Sequence, residues 1–108
     1  MDDGSQGEAV AVIFRSTRTG EDEAGYAAAA AAMDALARAQ PGFLGVDGAR
    51  GPDGVGVTVS WWADDDAAIA WRNHPVHADI RDRGRERWYS EYRVDVARVE
   101  RSYAWRHG

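Results

Sequence analysis

One segment of eight residues, VGVTVSWW at positions 55 to 62, constrains the fold more than any other part of the chain. Its alternation of small and branched apolar residues is typical of a β-strand, in which successive side chains point to opposite faces of the sheet. One face then carries Val55, Val57, Val59 and Trp61, and the other carries Gly56, Thr58, Ser60 and Trp62. A tryptophan on each face means that both faces of the sheet need cover.

The first half of the chain predicts a strand, a helix and a hairpin. EAVAVIFRSTRT is a strand with Val10, Val12 and Phe14 on one face. The alanine-rich EDEAGYAAAAAAMDALARAQ predicts a helix, which Thr19 caps and Pro41 ends. FLGVDGAR then pairs with VGVTVSWW through the turn GPDG.

The second half predicts two short helices and a long strand. Asp64 is a good N-cap for a helix that ends near Asn73, and Pro75 suits the first turn of the next helix. Gly84 is expected to end or kink that second helix. The last strand, within YSEYRVDVARVERSYAW, is about 12 residues long against a usual 5–6, which favours pairing with another chain.

The resulting order, β-α-β-β-α-β, predicts a ferredoxin-like α+β fold, an antiparallel sheet with helices on one face. The other face would be bare, and a second copy packed sheet against sheet would cover it. We expect residues 1–7 to form a disordered or frayed leader and residues 8–108 to form a single domain.

Composition excludes several classes of function. Cysteine is absent, which excludes disulfides and thiolate chemistry, and all 13 basic residues are arginine, which excludes a lysine Schiff base. The net charge of −5 argues against nucleic acid as a partner. No apolar stretch reaches membrane-spanning length and the first residues do not resemble a signal peptide, so we expect no membrane partner and a cytoplasmic location.

Three segments carry a family resemblance: QPGFLGVDGAR, then VTVSWW followed by AIAWRNHPVH, and GRERWYSEYRVDVARVERSY. Over residues 9–104 the chain resembles the antibiotic biosynthesis monooxygenase (ABM) superfamily, and the last segment resembles a bacterial subgroup of it. The resemblance implies a homodimer, a dimeric α+β barrel. Such barrels host cofactor-independent oxygenases, haem-degrading enzymes, isomerases and decarboxylases.

The leading hypothesis is an oxidoreductase, a cofactor-independent monooxygenase that acts on a small aromatic or quinol-like compound with O2. Such an enzyme needs an apolar cavity, a base and a cation for the substrate anion, and we expect neither a cofactor nor a metal. His74 and His77 are the candidate bases, because imidazole titrates near neutral pH. Arg81 or Arg15 would hold the anion.

Four aromatic side chains are candidates for the cavity lining: Trp62, Trp71, Phe14 and Tyr26. The resemblance implies a tryptophan and an arginine near the cavity, for which Trp71 and Arg81 are the nearest match. It also implies an asparagine beside them, and Asn73 is the candidate for that position.

Alternative functions remain open. In the haem-degrading branch an asparagine lies on the first strand and an axial histidine lies ten residues beyond the tryptophan, whereas this chain has no such asparagine and has Arg81 at that distance from Trp71. A metal site would need His74 and His77 with a third ligand such as Asp79. A non-catalytic small-molecule-binding or stress-associated barrel would have a small or filled cavity. The segment RERWYSEYR fits a subunit interface better than base stacking.

Overall fold

The computed structural model describes residues 8–108, so the predicted leader over residues 1–7 lies outside the described residues. The elements are β1 (Val10–Arg18), α1 (Glu23–Arg38), β2 (Phe43–Arg50), β3 (Val55–Trp62), α2 (Asp65–Arg72), α3 (Pro75–Arg83) and β4 (Tyr89–Arg98). A π-helical turn, Gly84–Trp88, joins α3 to β4. The strands form an antiparallel sheet in the order β2-β3-β1-β4, which confirms the predicted ferredoxin-like α+β fold.

The helices cover one face of this sheet. Val10 lies opposite Trp62 in the β1–β3 pair, and both are buried beneath α1 and α2. Trp62 is fully buried, and its ring stacks on that of Trp71 from α2, with centroids 5.9 Å apart. Phe43 of β2 adds an edge-on contact to Trp62 at 5.6 Å. The core is therefore a small aromatic cluster clamped between the sheet and two helices.

The opposite face of the sheet has no helix over it. The register places Trp61 opposite Ala11 and Val59 opposite Ile13, which turns these side chains away from the core. Val57 on the same face is 40% exposed. The prediction of one tryptophan on each face is confirmed, and the Trp61 face is an apolar surface that the chain itself does not bury.

The helix start after β1 differs from the prediction of Thr19 as N-cap, which is wrong. Asp22 caps α1 instead: it adopts a left-handed conformation with φ 53°, and its carboxylate accepts a hydrogen bond from the Gly25 amide at 3.2 Å. The Thr19 hydroxyl donates to the carbonyl of Arg87 at 2.6 Å. The Thr19 side chain, which the local sequence predicted as the helix cap, is thus used in a long-range contact with the π-helical turn.

The second half follows the prediction at its helix boundaries. Asp64 caps α2 by accepting from the Ala67 amide at 2.8 Å, α2 ends at Arg72 with Asn73 as its C-cap, and Pro75 opens α3. α3 ends at Arg83 with Gly84 as its C-cap, as predicted, and Gly84 also begins the π-helical turn. β4 ends at Arg98, earlier than predicted, where its neighbour β1 begins at Val10; beyond that pair, the Val99 amide still donates to the Ala9 carbonyl at 2.9 Å.

Trp88 corrects the interface interpretation of RERWYSEYR. Its side chain is 3% exposed within the chain, and its indole N–H donates to the Asp22 carboxylate at 3.1 Å. It therefore links the π-helical turn to the start of α1.

In the described part of the chain, none of the helices has both the length and the apolar character needed to span a membrane.

Candidate functional site

The candidate site, called the groove below, comprises α3 with His77 and Arg81 and the exposed helix-facing side of β4. α3 contacts α2 and the π-helical turn, makes few contacts with the sheet, and buries none of its side chains completely. Val94 and Val96 lie opposite Phe14 and Val12 in the β1–β4 pair and therefore face the helices. They are nevertheless 47% and 57% exposed. An apolar floor is thus open to a ligand on the same side of the sheet as Trp71.

His77 of α3 is fixed against Trp71. Their ring centroids are 4.6 Å apart, and the Nδ1 atom of His77 lies 3.0 Å from the carbonyl oxygen of Trp71. Because a carbonyl can only accept a hydrogen bond, Nδ1 carries the proton in the neutral ring and Nε2 carries the lone pair. His77 is thereby held in the tautomer in which Nε2 can accept a proton.

The surroundings of His77 keep it neutral. Burial lowers the pKa of His77 below its ordinary value of 6.5, while the hydrogen bond to the Trp71 carbonyl opposes this shift. The positive charges of Arg81 and Arg72 lower the pKa of His77 further. A histidine with a lowered pKa is in its basic form at neutral pH, as a general base must be.

Arg81 is a half-buried cation with almost no partner inside the chain. Its Nη1 lies 3.5 Å from the carbonyl of Arg72, which is at the limit of a hydrogen bond, and its Nε is buried without any acceptor. Among residues 8–108 no carboxylate lies within 4.0 Å of it. Burying an unpaired charge is costly, so an anion supplied from outside would stabilise Arg81.

Three other predicted site residues lie at the edge of this arrangement or away from it. The Nδ1 atom of His74 accepts from the Val76 amide at 3.1 Å and so caps α3, and its ring lies 5.9 Å from Trp71. Asn73 is exposed at the end of α2. Arg15 lies opposite Val57 on the helix-free face, because it is one residue out of phase with Phe14. The structure does not bring Arg15 together with His77.

Phe14 and Tyr26 belong to a second aromatic cluster. Phe14 contacts Tyr89 and Tyr92 at centroid distances of 5.4 and 5.3 Å, and Tyr26 of α1 lies 6.0 Å from Tyr89. Burial raises the pKa of Tyr89, and the neighbouring Tyr26 adds to the rise, so this phenol stays neutral. Tyr92 was predicted on the same strand face as Val94 but was not assigned to this cluster, although that shared face was a usable signal.

Trp71 also borders a shallow cavity of about 310 Å³. Its lining is mostly apolar and consists of Gln40, Pro41, Gly42, Asp64, Asp66, Ala67, Ala70 and Trp71. His77 and Arg81 are not part of that lining. Among the described residues, histidine and carboxylate side chains nowhere gather in threes in a way that could hold a metal ion.

Comparison with known proteins identifies relatives of this chain. Residues 9–83 match the model of the family described as antibiotic biosynthesis monooxygenase. An uncharacterised protein of Bacillus subtilis, YqjZ, is 47% identical over 91 residues, which cover 84% of this chain and 79% of that protein.

Solved structures share the fold at lower identity. SnoaB, a cofactor-independent oxygenase from Streptomyces nogalater, is 22% identical, with a TM-score of 0.74 over 88% of this chain and 96% of its own. Rv0793 from Mycobacterium tuberculosis is also 22% identical, with a TM-score of 0.77 over 89% of this chain and 99% of its own.

Proposed function

Because the chain belongs to the antibiotic biosynthesis monooxygenase family, we propose that it oxidises a small aromatic or quinol-like compound with O2 and without a cofactor. The observation that carries the proposal is the pairing on α3 of an unneutralised Arg81 with a neutral, oriented His77, on the same side of the sheet as the exposed Val94 and Val96. An acidic aromatic compound supplies what this groove lacks, an anion for Arg81 and a flat apolar body for Val94 and Val96. The likeness to SnoaB supports the same reaction class.

An anthrone illustrates the proposed reaction, in which an activated CH2 group is oxidised to a carbonyl. Nε2 of His77 accepts a proton from the activated CH2 group, and Arg81 holds the resulting oxyanion. The anion passes one electron to O2, and the radical pair combines to form a C–O bond. The resulting peroxide anion takes the proton back from His77 to give a hydroperoxide, which loses water by breaking its O–O and C–H bonds and leaves a carbonyl. One oxygen atom of O2 ends in the product and the other in water, and the substrate supplies all the electrons.

The test is O2 consumption with a panel of anthrones and quinols, corrected for spontaneous autoxidation. In Arg81→Gln we expect KM to rise about tenfold to hundredfold, since a charge-assisted hydrogen bond contributes roughly 1.5–3 kcal/mol. The matched control is Arg83→Gln on the same helix, because Arg83 is exposed and paired with Asp79 at 3.5 Å. Substrate binding without any O2 consumption would contradict the proposal and favour a non-catalytic binding barrel.

The pH dependence of kcat/KM gives a second expectation. Because burial and neighbouring charges lower the pKa of His77, the acid limb of the profile should lie below pH 6.5. Arg81 is one of the charges that lower this pKa, so Arg81→Gln should move the limb to higher pH. When the unmodified chain and Arg81→Gln are compared on the same substrate, ionisation of the substrate affects both profiles equally and does not contribute to the difference. A limb that stays in place in Arg81→Gln would show that His77 does not control it.

We propose further that two copies pair through the helix-free face of the sheet, around Val57, Val59 and Trp61. The apolar character of this face supports the proposal, since large exposed apolar patches mark interaction sites. Sedimentation at micromolar concentration should give a dimer for the unmodified chain and a monomer for Val57→Asp. The control is Val76→Asp on α3, where the valine is 45% exposed and away from the sheet. A monomer in every case would refute the pairing.

The single domain over residues 8–108 and the cytoplasmic location stay predictions.

A further inference from the structure

A second cavity lies where the hairpin turn between β2 and β3 approaches the start of α1. Its volume is about 340 Å³, which is within the usual range for small-ligand sites. The lining is mostly polar and consists of Arg18, Thr19, Gly20, Glu23, Tyr26, Arg50, Gly51, Pro52, Asp53 and Gly54. None of the groove residues around His77 takes part in it, so any ligand here would be separate from the proposed oxidation.

Arg50 is fixed in this cavity by neutral groups only. Its Nη1 donates to the carbonyls of Ser16 and Gly54 at 3.1 and 2.6 Å. Its Nη2 donates to the Ser16 hydroxyl at 2.8 Å and to the Tyr26 hydroxyl at 3.3 Å, the longest of the four bonds. Its Nε has no hydrogen-bond partner among residues 8–108. The guanidinium is thus held rigidly, and its freest donors are Nε, which has no partner, and the Nη2 hydrogen on the long contact to Tyr26.

The charge of Arg50 is not neutralised by the described chain. No carboxylate of residues 8–108 lies within 4.0 Å of it, and the pKa of Tyr89 is raised, so that phenol carries no charge. Arg18, the other cation of the cavity, is paired with Glu23 at 2.7 Å and stacked on the Tyr26 ring at 3.9 Å. Partial burial of a charge without an opposite charge carries a desolvation cost, which an anion from outside would offset.

Gly56 shows that the space for the Arg50 head group is built into the sheet. A Cβ atom on Gly56 would lie 2.6 Å from Cζ and 2.9 Å from Nη1 of Arg50. The guanidinium therefore lies directly over the backbone of β3, and a larger residue at position 56 would displace it. This contact provides a way to move Arg50 without removing it.

We propose that this cavity binds a small organic monocarboxylate. Carboxylate oxygens match the planar Nε–Nη2 edge of Arg50, and one of them replaces the long contact to the Tyr26 hydroxyl, which can then donate to the ligand. Glu23 and Asp53 also face the cavity, so a ligand with several negative charges, such as phosphate, would be repelled. The chemistry thus favours one negative charge carried on a small body.

The experiment is a titration of the full chain with benzoate, followed by the backbone amide NMR signals of Gly20, Gly51 and Gly54. We expect saturable shifts, weaker or absent with inorganic phosphate and with the neutral analogue benzamide. Arg50→Gln should weaken binding by about tenfold or more, since it removes a charge-assisted pair. Arg81→Gln should leave it unchanged.

Arg50 also links the hairpin turn to β1, so Arg50→Gln could impair folding. Gly56→Ala is therefore tested beside it, because this variant keeps the charge of Arg50 and only displaces the guanidinium. Weaker benzoate binding in a folded Gly56→Ala protein supports the site even if Arg50→Gln fails to fold. The absence of saturable shifts with benzoate would overturn the proposal, and so would shifts that follow Arg81→Gln instead. Neither result would depend on whether the groove consumes O2.

Discussion

Replacing Trp62 with alanine is expected to lower the free energy of unfolding by about 3–5 kcal/mol, the usual cost of truncating a buried aromatic side chain. Trp62 has no exposed surface, and it stacks on Trp71 and meets the edge of Phe43. Its indole N–H also donates to the Ser60 hydroxyl at 2.9 Å, so the truncation leaves a cavity and an unpaired hydroxyl. Urea unfolding followed by circular dichroism measures the loss.

The adjacent residue provides the control for this prediction. Trp61 has the same side chain but lies on the helix-free face, where it is only half-buried in the single chain. Trp61→Ala should therefore cost less at low protein concentration, and its cost should grow as the concentration rises if a second copy covers that face. Equal losses for the two variants at every concentration would contradict the two-faced arrangement.

Replacing His77 with glutamine is expected to reduce kcat by about 10²–10⁴, the usual contribution of a general base. Glutamine is similar in size and can still donate to the Trp71 carbonyl, so α3 keeps its anchor, but its amide cannot accept a proton from the substrate. Steady-state O2 consumption with the best substrate of the panel measures the effect, and thermal unfolding verifies that the variant is folded.

His74 is the matched control for His77. Both histidines lie near Trp71, but the Nδ1 atom of His74 caps α3. Asparagine is a good N-cap, so His74→Asn should keep both the helix and a turnover near that of the unmodified chain. Full turnover in His77→Gln would remove His77 as the base. A loss confined to His74→Asn would transfer the role to His74.

The features that sequence reasoning predicted correctly are local ones. Strand alternation in VGVTVSWW assigns each tryptophan to its face, and Asp64 and Pro75 mark helix starts through contacts within one turn of the chain. These outcomes depend on neighbouring residues, whose preferences a sequence shows directly. The approach of His77 to Trp71 was not predicted, although the two lie only six positions apart in sequence.

The missed features depend on residues far apart in the chain. Asp22 rather than Thr19 caps α1, and Trp88 is buried, because the π-helical turn packs on the loop before α1, more than sixty residues away. The clamp of Arg50 on Ser16 joins β2 to β1 in the same way. The exposure of Val94 and Val96 on β4 could not be predicted either, because it depends on the distance between α3 and the sheet.

The position of β1 between β3 and β4 has a consequence for the kinetics of folding. β1 and β3 can pair early, but the other edge of β1 stays open until β4, nearly the full described length away in sequence, returns to it. Pairings of such long sequence separation close slowly, on the order of milliseconds to seconds. During that interval an unpaired strand edge can recruit another chain. The yield of folded protein should therefore depend on how quickly β4 docks, and crowding by nascent copies should lower it.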